Sequence, residues 1–579
     1  MADLIEICKS NLSTLKERIA FNQKKFKHGP SAVVDWASPK PFELAAATAR
    51  SCYKNKPVYP NDFDNPESGE KREGPYGCDK LVPSLYHSGH KTPLGHPTSH
   101  LVITASRLSI WSFLHSYMFY SSSNQQSQRY AEMFKGVRED ALADQSTIPQ
   151  IVDLDYAILP NFTNSSSEEI YKKAFTMQFR AYRKITDLIN ETAGKDFYER
   201  FPKLKGEKEG ARNLRRRCLE ISRYVLPLGT MAHLWYSLSL LSAYRLDRYP
   251  DANAPSESQL IADSILKSWA EKSPENIRIL AENPVTIPYE STIEGKFSAE
   301  IPNPIANRRF VKDFDSKLNG LNSKLINYSL EGEELIAQAV RSVVGKSKAD
   351  LPNAEAIELA LNPAKNPALI HPLDDKLRSP VSLGLYHANY TFAKRISHTC
   401  DSQNQRHRTI PGGRPILANQ YTGDAKDCII PDLIANNPEA LRVFTGTMEK
   451  SFRAIENLIE DGESWENVQY LLPNAIPVRF IETAPLLFLH SKLRERLCWN
   501  AQKEIWDVSK EELKQIKTVH PNIAKWIGAP CNIVDLGKKG AALDGTKIPL
   551  SIGSCPESHD RYCGVQAWQI PLEEWRRTI

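Results

Sequence analysis

Apolar side chains fall three and four places apart in KKAFTMQFRAYRKITDLINETA, residues 172–193, and again in VFTGTMEKSFRAIENLIEDG, residues 443–462. That spacing lines one face of an α-helix, so both segments predict long amphipathic helices. PFELAAATARSCY at 41–53 predicts a shorter one, with Leu44, Ala47 and Thr48 on one face. SHLVITAS at 99–106 reads as a strand, and HANYTFAK at 387–394 as its counterpart. The most apolar stretch, YVLPLGTMAHLWYSLSLLSAY at 224–244, contains Pro227, Gly229 and His233 and reads as a buried core helix, not a membrane span. Pro227 and Pro473 fit the first turn of the helices expected to follow them. FIETAPLLFLHSKL at 480–493 predicts an apolar helix that ends near Arg496.

These elements recur in order. ELAAATARS at 43–51 matches ELIAQAVRS at 334–342, ASRLS at 105–109 matches AKRIS at 393–397, and RYVLP at 223–227 matches QYLLP at 469–473. Three ordered matches imply two tandem copies of one fold. The expected organisation is a helical extension over 1–29, a first copy over 30–285, a linker over 286–324 that includes IPNPIANRRF, and a second copy over 325–579. The expected fold class is α+β, with long helices packed on a small mixed sheet in each copy.

Composition narrows the class. The chain has 579 residues, 41% hydrophobic and 25% charged, which is globular and long enough for more than one domain. A net charge of +5 does not point to a nucleic acid polymer; the run NLRRRCLE at 213–220 reads as a solvated helix face. Ten scattered cysteines without a C-x-x-C pair suit reduced thiols, and Asp3 and Glu6 sit where an export signal would be positive. A cytoplasmic location without membrane attachment is the expectation.

Four stretches carry candidate chemistry. YHSGHKTPLGH at 86–96 holds three histidines, but Gly89 and Pro93 make it a turn and no carboxylate lies within it, so a ligand-contacting loop through His90 and Thr92 competes with a purely structural turn. SSSNQQSQRY at 121–130 could bind phosphate through backbone N–H groups, Ser127 and the Arg129 guanidinium, or be an ordinary polar loop. SQNQRHRTIP at 402–411 sets Arg406, His407 and Arg408 in a row after Gln403; both guanidinia need acceptors, from a ligand or from solvent. RLCWNAQKEIW at 496–506 places Arg496 five residues before Ala501. Near the C-terminus Cys531, Cys555, His559 and Cys563 offer zinc-type donors, but their spacing favours a reduced, metal-free tail, and no metal is expected.

Taken together the motifs resemble those of the flavin-dependent thymidylate synthases. That family's hallmark is an Arg-His-Arg triplet followed by a Ser-x-Arg-Tyr ending. With it go a GHxTP loop, an arginine four residues before a Leu-Pro proline, and an arginine five residues before Ala-Gln-x-Glu-Ile. Here Gly89–Pro93, Ser127–Tyr130 and Arg223 carry three of these in the first copy, while Gln403, Arg406–Arg408 and Arg496 with Ala501–Ile505 carry the others in the second. The hallmark is split. Aligned on ASRLS, the first copy reads Met118-Phe119-Tyr120 at the triplet, and the second has Gln469 in place of Arg223.

The resemblance implies FAD held by His90, Thr92, Arg406, His407 and Arg408. It implies dUMP or a related pyrimidine nucleotide surrounded by Gln125, Ser127, Arg129, Arg223, Gln403 and Arg496, with Arg496 polarising the ring. Methylenetetrahydrofolate and NADPH would be co-substrates and dTMP the product. It also implies a composite site pooling both copies, and a homodimer that imitates the family's tetramer. Two departures stand against it. The family's Asn-Ala-Arg reads Ser239-Leu240-Leu241 and Pro485-Leu486-Leu487, and Gly95 replaces a glutamate. A changed pyrimidine substrate, or a non-catalytic nucleotide-binding scaffold, are the competing expectations.

Overall fold

The computed structural model describes residues 2–63, 77–115, 120–130, 132–133, 156–248, 252–272, 279, 291–298, 301–370, 375–544, 555–557 and 562–577. The chain forms two compact units. The first comprises 1–180, 226–303 and 450–473; the second comprises 181–225, 304–449 and 474–579. Each unit therefore takes in a stretch from the other half of the sequence.

In the first unit the helix Ala2–Gln23 leads to β1 (Phe26–His28) and β2 (Ser31–Ala37). After the helix Pro41–Ser51 come β3 (Thr98–Ser106), β4 (Tyr120–Gln125), β5 (Leu159–Pro160) and β6 (Met231–Ser239). The main sheet has the order β2-β3-β6-β4. In the second unit β7 (Ser323–Tyr328), β8 (Asn389–Ser397) and β9 (Pro477–Pro485) form a sheet in that order. All these pairings are antiparallel, so the sheets are antiparallel where a mixed sheet was expected. The α+β class and the tandem repetition hold: β2, β3 and β6 recur as β7, β8 and β9, and the helices Pro41–Ser51 and Gly332–Val344 are counterparts.

Two expected helices begin as strands and turn helical only afterwards, over Leu240–Arg248 and over Leu486–Arg496, the latter ending on Arg496 as expected. Residues 231–239 form β6, and 477–485 form β9, so Pro227 and Pro473 precede strands. The reason is a two-residue alternation beneath the high mean hydropathy. Leu234, Tyr236 and Leu238 are buried while His233 and Trp235 are exposed, which is strand periodicity. Gly229 supports the turn before β6. A Cβ there would come within 2.9 Å of Tyr470 Cβ and 3.1 Å of a Phe175 ring carbon, so only glycine lets the chain pass. The segment IPNPIANRRF, read as part of a linker, lies at the start of the helix Pro304–Lys317, with Pro304 at its first position. The long helix Ser165–Arg200 extends past its expected segment at both ends, Pro438–Glu460 starts five residues before its own and ends two short of it, and the basic run 213–220 lies on the helix Lys208–Ser222. Among the described residues no helix is long and apolar enough to cross a membrane.

The two units repeat one buried device. In the first, Glu257 accepts from Ser106 N at 2.8 Å and Ser106 Oγ at 2.6 Å, and from Tyr470 Oη at 3.0 Å. In the second, Glu504 accepts from Ser397 N at 2.7 Å, from Ser397 Oγ and from Tyr224 Oη. In both, a carboxylate caps the strand-to-helix turn and satisfies groups that would be costly to bury alone. This equivalence pairs Ser106 with Ser397, three residues off the alignment of ASRLS with AKRIS. The triplet positions of the first copy then fall at His115, Ser116 and Tyr117. Ser116, Tyr117, Met118 and Phe119 lie outside the described residues, and Tyr120 opens β4 with its side chain buried.

Candidate active site

The second unit gathers Arg223, Gln403, His407 and Arg496. β8 ends at Ser397, whose side chain caps the helix His398–Asn404 by accepting from Cys400 N at 3.0 Å. That buried helix presents Gln403 and delivers the chain to Arg406, His407 and Arg408. β9 leads into the helix Leu486–Arg496, whose last residue is Arg496, and the turn after it reaches Gln502. The segment 181–225 contributes Arg223 and Tyr224 to the same unit.

Gln502 is the hub. Its Oε1 accepts from Arg223 Nη2 at 2.7 Å and from Gln403 Nε2 at 2.9 Å, and its Nε2 donates to Tyr224 Oη at 2.5 Å. Arg496 donates through Nε to His407 Nε2 at 2.9 Å and through Nη2 to the Gln403 carbonyl at 3.2 Å. Since Arg496 only donates, His407 Nε2 must be an unprotonated acceptor, which fixes the neutral tautomer. Burial, and then the Arg496 guanidinium, push the His407 pKa well below the usual histidine range. The Arg496 and His407 side chains retain only 13% and 10% exposure, so their charge and dipole act in a largely dry setting.

Beneath this cluster lies a buried ionic network. Lys394 Nζ stands 2.7 Å from both Glu482 and Glu512, and Lys492 Nζ stands 2.5 Å from Glu482. Glu482 also accepts from Asn404 Nδ2 at 2.7 Å. Arg414 bonds both oxygens of Asp401, at 3.0 and 2.9 Å, and lies 3.8 Å over the Phe480 ring. Three cations thus meet three carboxylates. Burial alone would raise the Glu482 pKa, but Lys394, Lys492 and Arg414 outweigh it and hold the carboxyl far below its usual range. Asp401, Gln403 and Asn404 share one short helix, so the network fixes the helix that carries Gln403.

The remaining predicted residues fall as follows. Arg406 is exposed and Arg408 half-buried, at the end of the same helix. In the first unit Gln125 closes β4, paired with Leu234; Ser127 Oγ accepts from Arg129 N at 3.2 Å, and the Arg129 guanidinium lies 5.3 Å over the Tyr130 ring. His90 and Thr92 are exposed on a turn opened by Gly89 at φ +78° and closed by a short 3-10 helix from Thr92 to Gly95. Sequence reasoning missed Tyr224, Gln502 as the hub, and the Lys394–Glu482–Lys492 network. Gln502 lay in a motif already quoted, whereas the lysines carry no local signal.

The exposed guanidinium of Arg406 and the half-buried one of Arg408 suit an anionic, phosphate-bearing cofactor. At the Asn-Ala-Arg positions Leu240, Leu486 and Leu487 are core side chains with no polar group to offer one. Among the described residues no group of three or more histidine, cysteine and acidic side chains is set for a metal ion, and His559 lies outside them.

The two α+β units repeat one plan, and the second carries a buried arginine–amide–imidazole cluster of the kind that binds an anionic or carbonyl-bearing ligand. The thymidylate synthase complementing protein family matches residues 33–275 and 324–522, well over half the chain, and the chain belongs to that family. Among its relatives, the flavin-dependent thymidylate synthase of Saccharolobus solfataricus is 25% identical over 218 residues, spanning 37% of this chain and 79% of that protein. That of Clostridium tetani is 25% identical over 233 residues, spanning 37% and 90%. A relative nearly whole thus corresponds to little more than a third of this chain, as two copies require. A solved structure of the UMP/dUMP methylase PolB from Streptomyces cacaoi, bound with 5-Br dUMP, is 15% identical, covering 44% of this chain and 96% of that one with a TM-score of 0.27.

Proposed function

We propose that the chain is a flavin-dependent thymidylate synthase: it methylates dUMP to dTMP, taking carbon from methylenetetrahydrofolate and reducing power from NADPH. The observation that carries this reading is Arg223. It comes from the first copy by sequence, yet bonds the same Gln502 amide as Gln403, in the unit that also holds Arg496. The one copy with the triplet has Gln469 at the corresponding repeat position, and the exchanged segment supplies the arginine instead.

In this reading Arg223 and Gln403 bind the nucleotide, and Arg496 faces the uracil ring. Its guanidinium, oriented by His407 and the Gln403 carbonyl, stabilises negative charge on the ring oxygens as C5 becomes nucleophilic. Neutral His407 orients that guanidinium without adding a competing charge. Arg406 and Arg408 hold the flavin's phosphate groups, and the flavin, when bound, supplies the redox chemistry. The same reading gives Gln125, Ser127 and Arg129 a part in nucleotide binding, and His90 and Thr92 a part in flavin binding. The core leucines at the Asn-Ala-Arg positions favour, as a second reading, a changed pyrimidine substrate.

The test is the purified protein's visible spectrum, followed by turnover with dUMP, methylenetetrahydrofolate and NADPH. A flavin band and dTMP formation are expected, and Arg496→Ala should lower kcat about 100-fold or more while leaving the flavin bound. Protein that takes up no flavin and forms no dTMP overturns the reading; flavin uptake without dTMP favours the second.

A further inference from the structure

The buried tyrosine–glutamate–serine device of the two units has an extra link in the second. Tyr224 and Tyr470 are its tyrosines, at corresponding places in RYVLP and QYLLP. Each bonds the glutamate of its own unit, Glu504 and Glu257. Two residues before the glutamate the copies part: Gln502 stands before Glu504, and Pro255 before Glu257. Tyr224 therefore bonds a side-chain amide as well as a carboxylate, whereas the residue corresponding to that amide in the first unit is a proline.

The direction of every bond in this chain of groups is fixed. Arg223 only donates, so the Gln502 atom facing it is the carbonyl oxygen Oε1, which also accepts from Gln403 Nε2. The Nε2 end of the same amide is then turned to Tyr224, at 2.5 Å, and can only donate. The Tyr224 oxygen accepts from it, and its own O–H donates to Glu504. Burial, and then the Glu504 carboxylate, raise the Tyr224 pKa well above the usual tyrosine range, so the hydroxyl keeps its proton. Glu504 in turn holds Ser397, whose Oγ caps the helix that carries Gln403. Gln403 closes the circle, since its Oε1 accepts from Gln502 N at 3.3 Å. Tyr224, Gln502 and Arg223 are all buried, so an amide turned the wrong way leaves a donor or an acceptor unsatisfied.

We infer that Tyr224 is a positioning residue for the nucleotide site, orienting Arg223 and Gln403 through the Gln502 amide. The inference rests on the reading of Arg223 and Gln403 as nucleotide-binding groups. Without the hydroxyl, Gln502 Nε2 is a buried donor that has lost its acceptor, and the amide rotates to find another, taking Oε1 away from the two side chains it holds. The effect stops short of Arg496. That guanidinium is held by His407 and by the backbone carbonyl of Gln403, not by the Gln403 amide. Tyr224 therefore acts on groups that grip the nucleotide equally before and during reaction, which moves KM and not kcat.

The first unit supplies the control. Tyr470→Phe takes the same hydroxyl from the same kind of buried glutamate, with no amide beyond it, and phenylalanine keeps the packing of the ring. In the full chain both Tyr224→Phe and Tyr470→Phe should lower the urea midpoint. Only Tyr224→Phe should weaken calorimetric dUMP binding and raise the dUMP KM, each about fivefold or more, with kcat within about twofold of the unaltered enzyme. In a Gln502→Ala background Tyr224→Phe should change dUMP affinity no further, because the residue it acts through is gone. Unchanged affinity in Tyr224→Phe, an equal loss in Tyr470→Phe, or the same loss added on top of Gln502→Ala overturns the inference. Should the unaltered chain bind no dUMP, the functional reading falls by itself, and a crystal structure of Tyr224→Phe decides the role of the hydroxyl. Gln502 rotated off Arg223 supports it, and an unmoved Arg223–Gln502 bond overturns it.

Discussion

At the scale of single residues, His407 and Arg496 make one device. The arginine donates to a ring nitrogen that must stay unprotonated, so a proton on His407 breaks the contact and sets two positive charges side by side. The pH dependence follows from the direction of the shift. In the folded chain the His407 pKa lies below its unfolded value, so the unfolded state takes up the proton first. The stability this histidine contributes is complete above about pH 6.5 and is lost as pH falls toward the folded pKa. Urea midpoints measured between pH 7.5 and 5 (roughly the histidine range) should fall with pH. His407→Gln, which keeps an acceptor for Arg496, should flatten that part of the profile. An unchanged slope would remove His407 as its source.

At the scale of elements, the helix His398–Asn404 depends on charges that no local pattern reveals. Glu482 lies on β9 and Lys492 on the following helix, yet both converge with Lys394 of β8 beneath Asn404. Glu482→Gln leaves two buried lysines with one carboxylate fewer. Breaking such a set is expected to cost about 3–5 kcal/mol, readable as a lower urea midpoint with an unchanged slope. The sequence was legible where its signal was local. The amphipathic helices, β3, β8 and the turn at Gly89 followed from period and turn residues. β6 and β9 did not, because a mean over apolar residues hid the alternation of His233 and Trp235 with Leu234 and Tyr236. The network was illegible because Lys394, Glu482 and Glu512 are far apart in the chain, and each alone looks like a surface charge. Arg496 and Gln403 were legible as motifs, but Gln502 as their link needed the geometry.

At the scale of the whole molecule, the two units are unequal. At corresponding repeat positions the second has Arg223 on Gln502, while the first has Gln469, whose Nε2 donates to the Asn253 carbonyl. One unit thus carries a guanidinium where the other carries a neutral amide. Calorimetric titration with dUMP should give about one nucleotide per chain, not two, and Arg223→Gln should weaken that binding by about tenfold or more, as expected for loss of a charged hydrogen bond. Two equivalent sites per chain, or unchanged affinity in the variant, would contradict this asymmetry.

The exchange of segments reaches beyond one protein. Residues 181–225 and 450–473 are each housed in the unit built mainly from the opposite half of the sequence. A gene split in the region 286–324 would encode two fragments, each wanting a piece that the other carries. Once such an exchange is fixed, neither duplicate can be discarded or expressed alone without loss, and the pair is inherited as a single indivisible gene.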